Sequence, residues 1–232
     1  MSKVCVIVGV GSGNGAAFSK KFAESGYQVV MLARNESYLK NLSQTIPGSQ
    51  WLGCDVSDPS AVQHAFNKIN KDIGSVDVLV YNAGPGEWGS VEEVTVEGFE
   101  MSWKINTLGL LVSSQQVIPE MKKNQHGAII VIGATAALRG GASTTGFASA
   151  KAAQRSLAQS MARYLGPDGI HVSYVVIDGI INLVRTREQM PDKPDDFFLQ
   201  PDAIAHAVYE LTMQDRSAWS FEIDLRPYKE KW

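Results

Sequence analysis

Short unbroken apolar runs recur along this chain, each followed by a turn and then a stretch of helical period. The runs cover residues 4–9 (VCVIVG), 29–33, 50–54, 76–81, 127–132 and 170–177, with a last one near 220–225. A strand covered on both faces is apolar without alternation, so these runs predict buried parallel strands. Helical patterns fill the gaps, over residues 16–25, 36–45, from Asp58-Pro59 onward, 94–123, 147–165 and 201–213. Gly26 is placed to end the first helix and Gly166-Pro167 to end the fifth. Asp55 or Ser57 is expected to cap the third, with Pro59 at its first position. Strand–helix units in series, joined by right-handed crossovers, predict an α/β fold: a single-domain Rossmann-like doubly wound parallel sheet with helices on both faces. The expected domain is the whole of residues 1–232, with a cofactor half at about 1–126 and a catalytic or substrate half at about 127–232. Residues 179–200 are polar, carry charged clusters and include Pro191 and Pro194; they read as a mobile substrate lid.

Composition narrows the function classes. The 232 residues are 44% hydrophobic and 19% charged, with a net charge of −3, which predicts an ordinary globular domain with no electrostatic footprint for nucleic acid or acidic membranes. No apolar run reaches the length of a membrane span, and no leader pattern opens the chain. Cys5 and Cys54 fall in strands that another strand should separate, so they are expected to be buried thiols rather than a disulfide. A reducing, cytoplasmic setting follows as the expectation. His64, His126, His171 and His206 lack ligand spacing, and no metal is expected.

The chemistry-bearing residues lie where the strands end. After the first strand comes Gly9-Val10-Gly11-Ser12-Gly13-Asn14-Gly15, leading into a helix. Strand, glycine turn and helix in that order cradle a pyrophosphate, because glycine lets the backbone approach it and the helix N-terminus carries partial positive charge. After the second strand stand Arg34 and Asn35. Ala33 cannot bind a ribose hydroxyl, whereas Arg34 can pair with a 2′-phosphate, which favours NADP(H) and leaves NAD(H) possible. Glu36 nearby weighs against that preference. Asp55 and Val56 end the third strand, and Asn82-Ala83-Gly84 the fourth.

Together these motifs, in this order and at these strand ends, resemble the short-chain dehydrogenase/reductase family over nearly the whole chain. The resemblance implies that Asp55 contacts the adenine, that Gly84 lets the backbone pass the cofactor ribose, and that Gly179, after the sixth strand, belongs to the cofactor site. It also implies that Asn106 bends a helix and holds a water that links to Lys151. The family follows its fifth strand with a Ser, a Tyr thirteen residues later and a Lys four further on. Here the Lys is kept as Lys151, while Ala134 stands at the Ser position and Phe147 at the Tyr position. Tyr81, Asp178 and Leu183 replace an Asn, a Pro and a Thr of the family pattern. Family chemistry moves hydride between nicotinamide and a small carbonyl or alcohol, with the Tyr exchanging the proton.

Two readings stand at this point. In one, the chain is an oxidoreductase with replaced proton chemistry, in which Thr135, Ser143, Thr144, Thr145, Ser149 or a water donates, or an activated alkene accepts the hydride. In the other, it is a pseudoenzyme that binds NADP(H) as a sensor or interaction protein. The substrate is a small molecule of unknown identity. The resemblance also implies a homodimer or homotetramer through helices at about 100–123 and 147–165, with the strand near 219–225 as a second interface.

Overall fold

The apolar runs become strands and the periodic stretches become helices in the computed structural model, which describes residues 2–84 and 86–230. The outermost ends of the two expected halves, Met1 and residues 231–232, lie outside these. The strands are β1 (Val4–Val8), β2 (Gln28–Ala33), β3 (Gln50–Gly53), β4 (Val78–Tyr81), β5 (Gly127–Ile132), β6 (Ile170–Ile177), β7 (Ile180–Ile181), β8 (Phe198–Leu199) and β9 (Glu222–Leu225). Seven of them form one parallel sheet in the order β3-β2-β1-β4-β5-β6-β9. The order reverses between β1 and β4, which opens a crevice at the carboxyl edge. The helices are α1 (Asn14–Glu24), α2 (Glu36–Ser43), α3 (Pro59–Asp72), α4 (Val96–Trp103), α5 (Gly109–Asn124), α6 (Thr145–Leu165), α7 (Val184–Gln189) and α8 (Pro201–Thr212).

Both faces of the sheet are covered, which is why the strands carry no alternation. Val4, Val6 and Val8 of β1 join one core with Phe66 of α3, Val117 of α5 and Ala158 of α6. Cys5 and Ile7 of the same strand join the other core, with Phe18 and Phe22 of α1, Leu39 of α2 and Val208 of α8. Each such side chain contributes about 1.5–3 kcal/mol on full burial. Cys5 and Cys54 are buried and free; Cys5 is in β1 and Cys54 directly follows the end of β3, with β2 between the two strands. No helix among the described residues is long and apolar enough to cross a membrane.

Several expectations need correction. The first helix begins earlier, at Asn14, so Asn14 and Gly15 are helical rather than part of the turn. The helix expected from Phe147 opens at Thr145. The cap of α3 is Asp58, whose side chain accepts from the Ser60 amide; Asp55 instead accepts from the amide and hydroxyl of Ser57. The helix expected over 94–123 is α4 and α5 joined by a π turn at Lys104–Leu108, where the Gly109 amide reaches back to the Lys104 carbonyl. Tyr81 explains part of that turn. Its buried hydroxyl donates to the Ile105 carbonyl, and a Cβ on Gly109 would stand 2.3 Å from that hydroxyl. Residues 179–200 carry short elements that the polar run did not predict: β7 and β8 pair in parallel, α7 lies between them, and Arg187 bridges Asp195 at 2.7 Å.

Candidate active site

A cleft of about 1240 Å³ runs along the carboxyl edge of the sheet, from the glycine turn to the start of α6. Gly9, Gly11 and Asn14 form one end of its floor, Arg34, Asn35, Asp55 and Val56 a side wall, and Asn82, Ala83 and Gly84 the centre. Ala134, Phe147, Lys151 and Gly179 close the other end. The structure thus gathers most of the residues singled out from the sequence. Ser12 and Gly13 instead face a second hollow of about 740 Å³ between α1 and the start of α8. Gly15 packs on the turn, where a Cβ would stand 2.6 Å from Cα of Val10.

Local chemistry fixes this floor. Gly9 has φ +87°, and a Cβ there would stand 2.4 Å from the Ala83 nitrogen, so β1 and β4 can end side by side only with glycine at this position. Asn82 then ties the two ends, its Nδ2 donating to the Gly9 carbonyl at 2.7 Å. Gly84 leaves room for the lysine: a Cβ there would stand 2.7 Å from Lys151 Nζ and 3.3 Å from Asn106 Oδ1. Asn106 itself is wholly buried behind the cleft wall, with Nδ2 donating to the Ser102 carbonyl at 2.8 Å.

Lys151 is 3% exposed. Its Nζ donates to the Ile132 carbonyl at 2.9 Å and to Gln154 Oε1 at 3.0 Å. Burial pushes its amine down to about 7, because the charged form loses hydration. The Phe147 ring lies 5.9 Å away by its centroid and is stacked on Trp88 at 5.3 Å. Burial raises Asp55, but the Ser57 hydrogen bonds and the Arg34 guanidinium outweigh it and hold the carboxyl below its usual range.

Three of the five candidate hydroxyls are engaged. Thr135 donates to Asp178 Oδ1 at 2.6 Å, and Asp178 pairs with Arg226 at 3.2 Å. Ser149 donates back to the Thr145 carbonyl at 2.8 Å, and the Thr144 hydroxyl accepts from the Gly141 amide at 2.7 Å. Ser143 gives its carbonyl to Gly89.

Three contributors escaped the sequence reading. Trp88 follows a glycine loop with no period to mark it. Arg185 sits on the cleft from the folded 179–200 segment, where Leu183 covers Gly13 closely enough that a Cβ there would meet it at 2.3 Å. Gln154 is a polar residue on a helix rich in alanine, and only its spacing of three from Lys151 hinted that the two meet.

Comparison with known proteins decides the family, since residues 3–193 match the short chain dehydrogenase family. The chain belongs to the short-chain dehydrogenase/reductases. It is similar to carbonyl reductase family member 4 of Danio rerio, 32% identical over 188 residues that cover 80% of this chain and 78% of that protein. Among solved structures it is similar to a short-chain dehydrogenase from Rhodopseudomonas palustris, with a TM-score of 0.83 and 32% identity over 97% of this chain and 99% of that one. An alcohol dehydrogenase from the archaeon Thermococcus sibiricus, complexed with 5-hydroxy-NADP, gives a TM-score of 0.88 at 26% identity over 100% and 99% of the two chains.

Short-chain dehydrogenase/reductases are oxidoreductases that bind NAD(P)(H), and this cleft fits a dinucleotide. The space a Cβ on Gly11 would take is open to 4 Å, as close approach of a pyrophosphate requires. Asn14 is 7% exposed, lines the cleft, and has a side-chain oxygen without a partner among the described residues. Groups of His, Cys, Asp and Glu able to hold a metal are absent among the described residues.

Proposed function

We propose that this short-chain dehydrogenase/reductase binds NADP(H) in the cleft and is an oxidoreductase that lacks an acid at the reacting oxygen. The observation that carries this reading is the wall beside Lys151: Phe147 presents a ring and Ala134 a methyl, and neither has a proton to give. The bound nicotinamide would supply or take a hydride. Around it, Arg34 would pair with the 2′-phosphate, ionised Asp55 would meet the adenine, and Lys151 would hold the ribose. The NADP-complexed neighbour and the exposed Arg34 at the rim support the phosphate preference.

Magnitudes set what such a site can do. A general acid is typically worth ~10²–10⁴-fold, and one oxyanion donor roughly 10²–10³-fold. These losses need not add, but carbonyl reduction is nearly abolished. An activated alkene suffers less, since its conjugation spreads the charge that hydride brings.

One observation favours a second reading, a pseudoenzyme that holds NADP(H) as a sensor or interaction protein. The Thr135, Ser149 and Thr144 hydroxyls, three of the five that could replace the missing donor, already make hydrogen bonds within the protein. A panel of aldehydes, ketones and activated alkenes, assayed with NADPH, separates the readings. Phe147→Tyr with Ala134→Ser should raise carbonyl reduction by about 10²-fold or more. Fast turnover of a simple ketone by the unaltered chain would overturn the reading of Phe147. Exposed Phe99, Met101 and Trp103 on α4, Leu111 on α5 and Tyr164 on α6 support the further proposal of a homodimer through these helices, which light scattering on the purified protein tests.

A further inference from the structure

Gln154 lies nearly one turn beyond Lys151 on α6 and is wholly buried. Nothing in cofactor or substrate contact requires an amide there, for Gln154 does not line the cleft. A carboxamide enclosed by a helix pair and a sheet is costly unless both its ends are paired. Both are. Its Oε1 accepts from Lys151 Nζ at 3.0 Å, and its Nε2 donates to the main-chain oxygen of Asn106 at 2.9 Å. The π turn presents that oxygen to α6, and Thr107 docks the same turn by donating to the Ala150 carbonyl at 3.1 Å. Lys151 is therefore gripped between two acceptors on different elements: the end of β5 at Ile132, and Gln154, which is itself anchored to the π turn. An ammonium has three donors. Two are committed, which leaves the third for the cleft.

We propose that Gln154 is a positioning residue: its carboxamide locks the Lys151 amine against β5 and the π turn and so fixes the direction in which Lys151 meets the cofactor. The proposal rests on the reading of the cleft as a dinucleotide site. An amide suits the task because it accepts at one end and donates at the other without adding charge. A carboxylate would hold the ammonium harder, and an alkyl group would release it. Among the described residues, the ionisable group that contacts Lys151 from a neighbouring element is Tyr174 of β6, whose hydroxyl donates to the Lys151 main-chain carbonyl at 3.4 Å. Burial pushes its phenol up and keeps it neutral. Burial is what lowers Lys151, and the acceptor at residue 154 works against it by favouring the charged amine, so altering that acceptor should move the titration.

The test is NMR titration of protein carrying 13C-labelled lysine, with Lys151→Met to assign the resonance. Gln154→Glu should move the Lys151 midpoint up by roughly one to three pH units, the effect of an opposite charge at this range. Gln154→Leu should move it down and weaken NADPH binding about tenfold, as loss of one hydrogen bond to a charged group implies. Circular dichroism and melting curves establish that each variant is folded. If Gln154→Leu does not fold, Gln154→Glu, which keeps the side chain's shape, decides alone. A midpoint unchanged in folded Gln154→Glu overturns the proposal. The titration needs no nucleotide. Shifted midpoints without NADPH binding by any variant would therefore sink the cofactor reading and leave the positioning role standing, and NADPH binding with unmoved midpoints would do the reverse.

Discussion

Replacing Lys151 with Met should change how stability depends on pH, and the structure sets the size. The amine is 3% exposed and pushed from 10.5 to about 7 by burial. Each pH unit of depression is about 1.4 kcal/mol, so the charged amine costs the folded state about 5 kcal/mol relative to the unfolded chain. The folded value lies below the unfolded one. Below pH 7 both states carry the proton and the folded protein bears the full cost. Between pH 7 and 10.5 only the unfolded chain binds the proton, so stability rises with pH at up to about 1.4 kcal/mol per unit. Met at 151 removes the charge and this slope with it, while leaving the Ile132 carbonyl and Gln154 Oε1 without their donor at about 1–3 kcal/mol each. The offset between the two proteins thus depends on those lost bonds, but its pH dependence does not. Urea unfolding of both, from pH 6 to pH 9, should show the unaltered protein gaining roughly 2–3 kcal/mol on the variant across that range. Other titrating groups cancel in the difference. A difference flat to within about 0.5 kcal/mol would refute the reasoning, since Lys151 would then titrate as if solvated.

Other outcomes follow from the same geometry. Arg34→Glu should weaken NADPH by about tenfold to a hundredfold, as loss of a charge-assisted phosphate contact implies, and leave NADH within about threefold; equal weakening of both would remove Arg34 from phosphate recognition. Gly9→Ala, at φ +87° with its Cβ 2.4 Å from a backbone nitrogen, should cost about 3 kcal/mol or more in urea unfolding; a loss under about 1 kcal/mol would show that β1 and β4 can part freely. Asp178→Asn should leave the Thr135 hydrogen bond but remove the charge pairing with Arg226, a largely buried contact, at about 1–3 kcal/mol. Asp178→Leu should cost more, because the Thr135 hydroxyl also loses its shorter hydrogen bond and keeps only the Ile177 carbonyl at 3.3 Å.

The parts legible in the sequence are those where one physical demand governs many residues. Burial on both faces writes itself as unbroken apolar runs, and the strands appear where those runs lie. Close backbone packing writes itself as glycine: the space beside Gly9 is taken by Ala83 and that beside Gly84 by Lys151, neighbours that their motifs did not name. The π turn was not legible as such, because one residue of slipped register does not disturb a helical period; only the resemblance marked Asn106. Tyr81 gave no sign that its hydroxyl would reach the Ile105 carbonyl, since an aromatic at a buried strand end is ordinary. β7 and β8 are two residues each, too short for any periodicity, so the folded segment between them read as loop. Gln154 gave no sign of its burial, because a polar residue followed by Arg155 and Ser156 on an alanine-rich helix does not stand out as a buried one.

The central claim is that the cleft keeps a dinucleotide site beside a wall with no proton to give. Its most direct test is titration of the purified chain with NADPH and with NADH, followed by nicotinamide fluorescence and by thermal shift. The account predicts micromolar NADPH binding and at least tenfold weaker NADH, the worth of about one charge-assisted contact. Absence of binding by both nucleotides would contradict it, and would mean that Phe147 and Ala134 belong to a site no longer built for a cofactor.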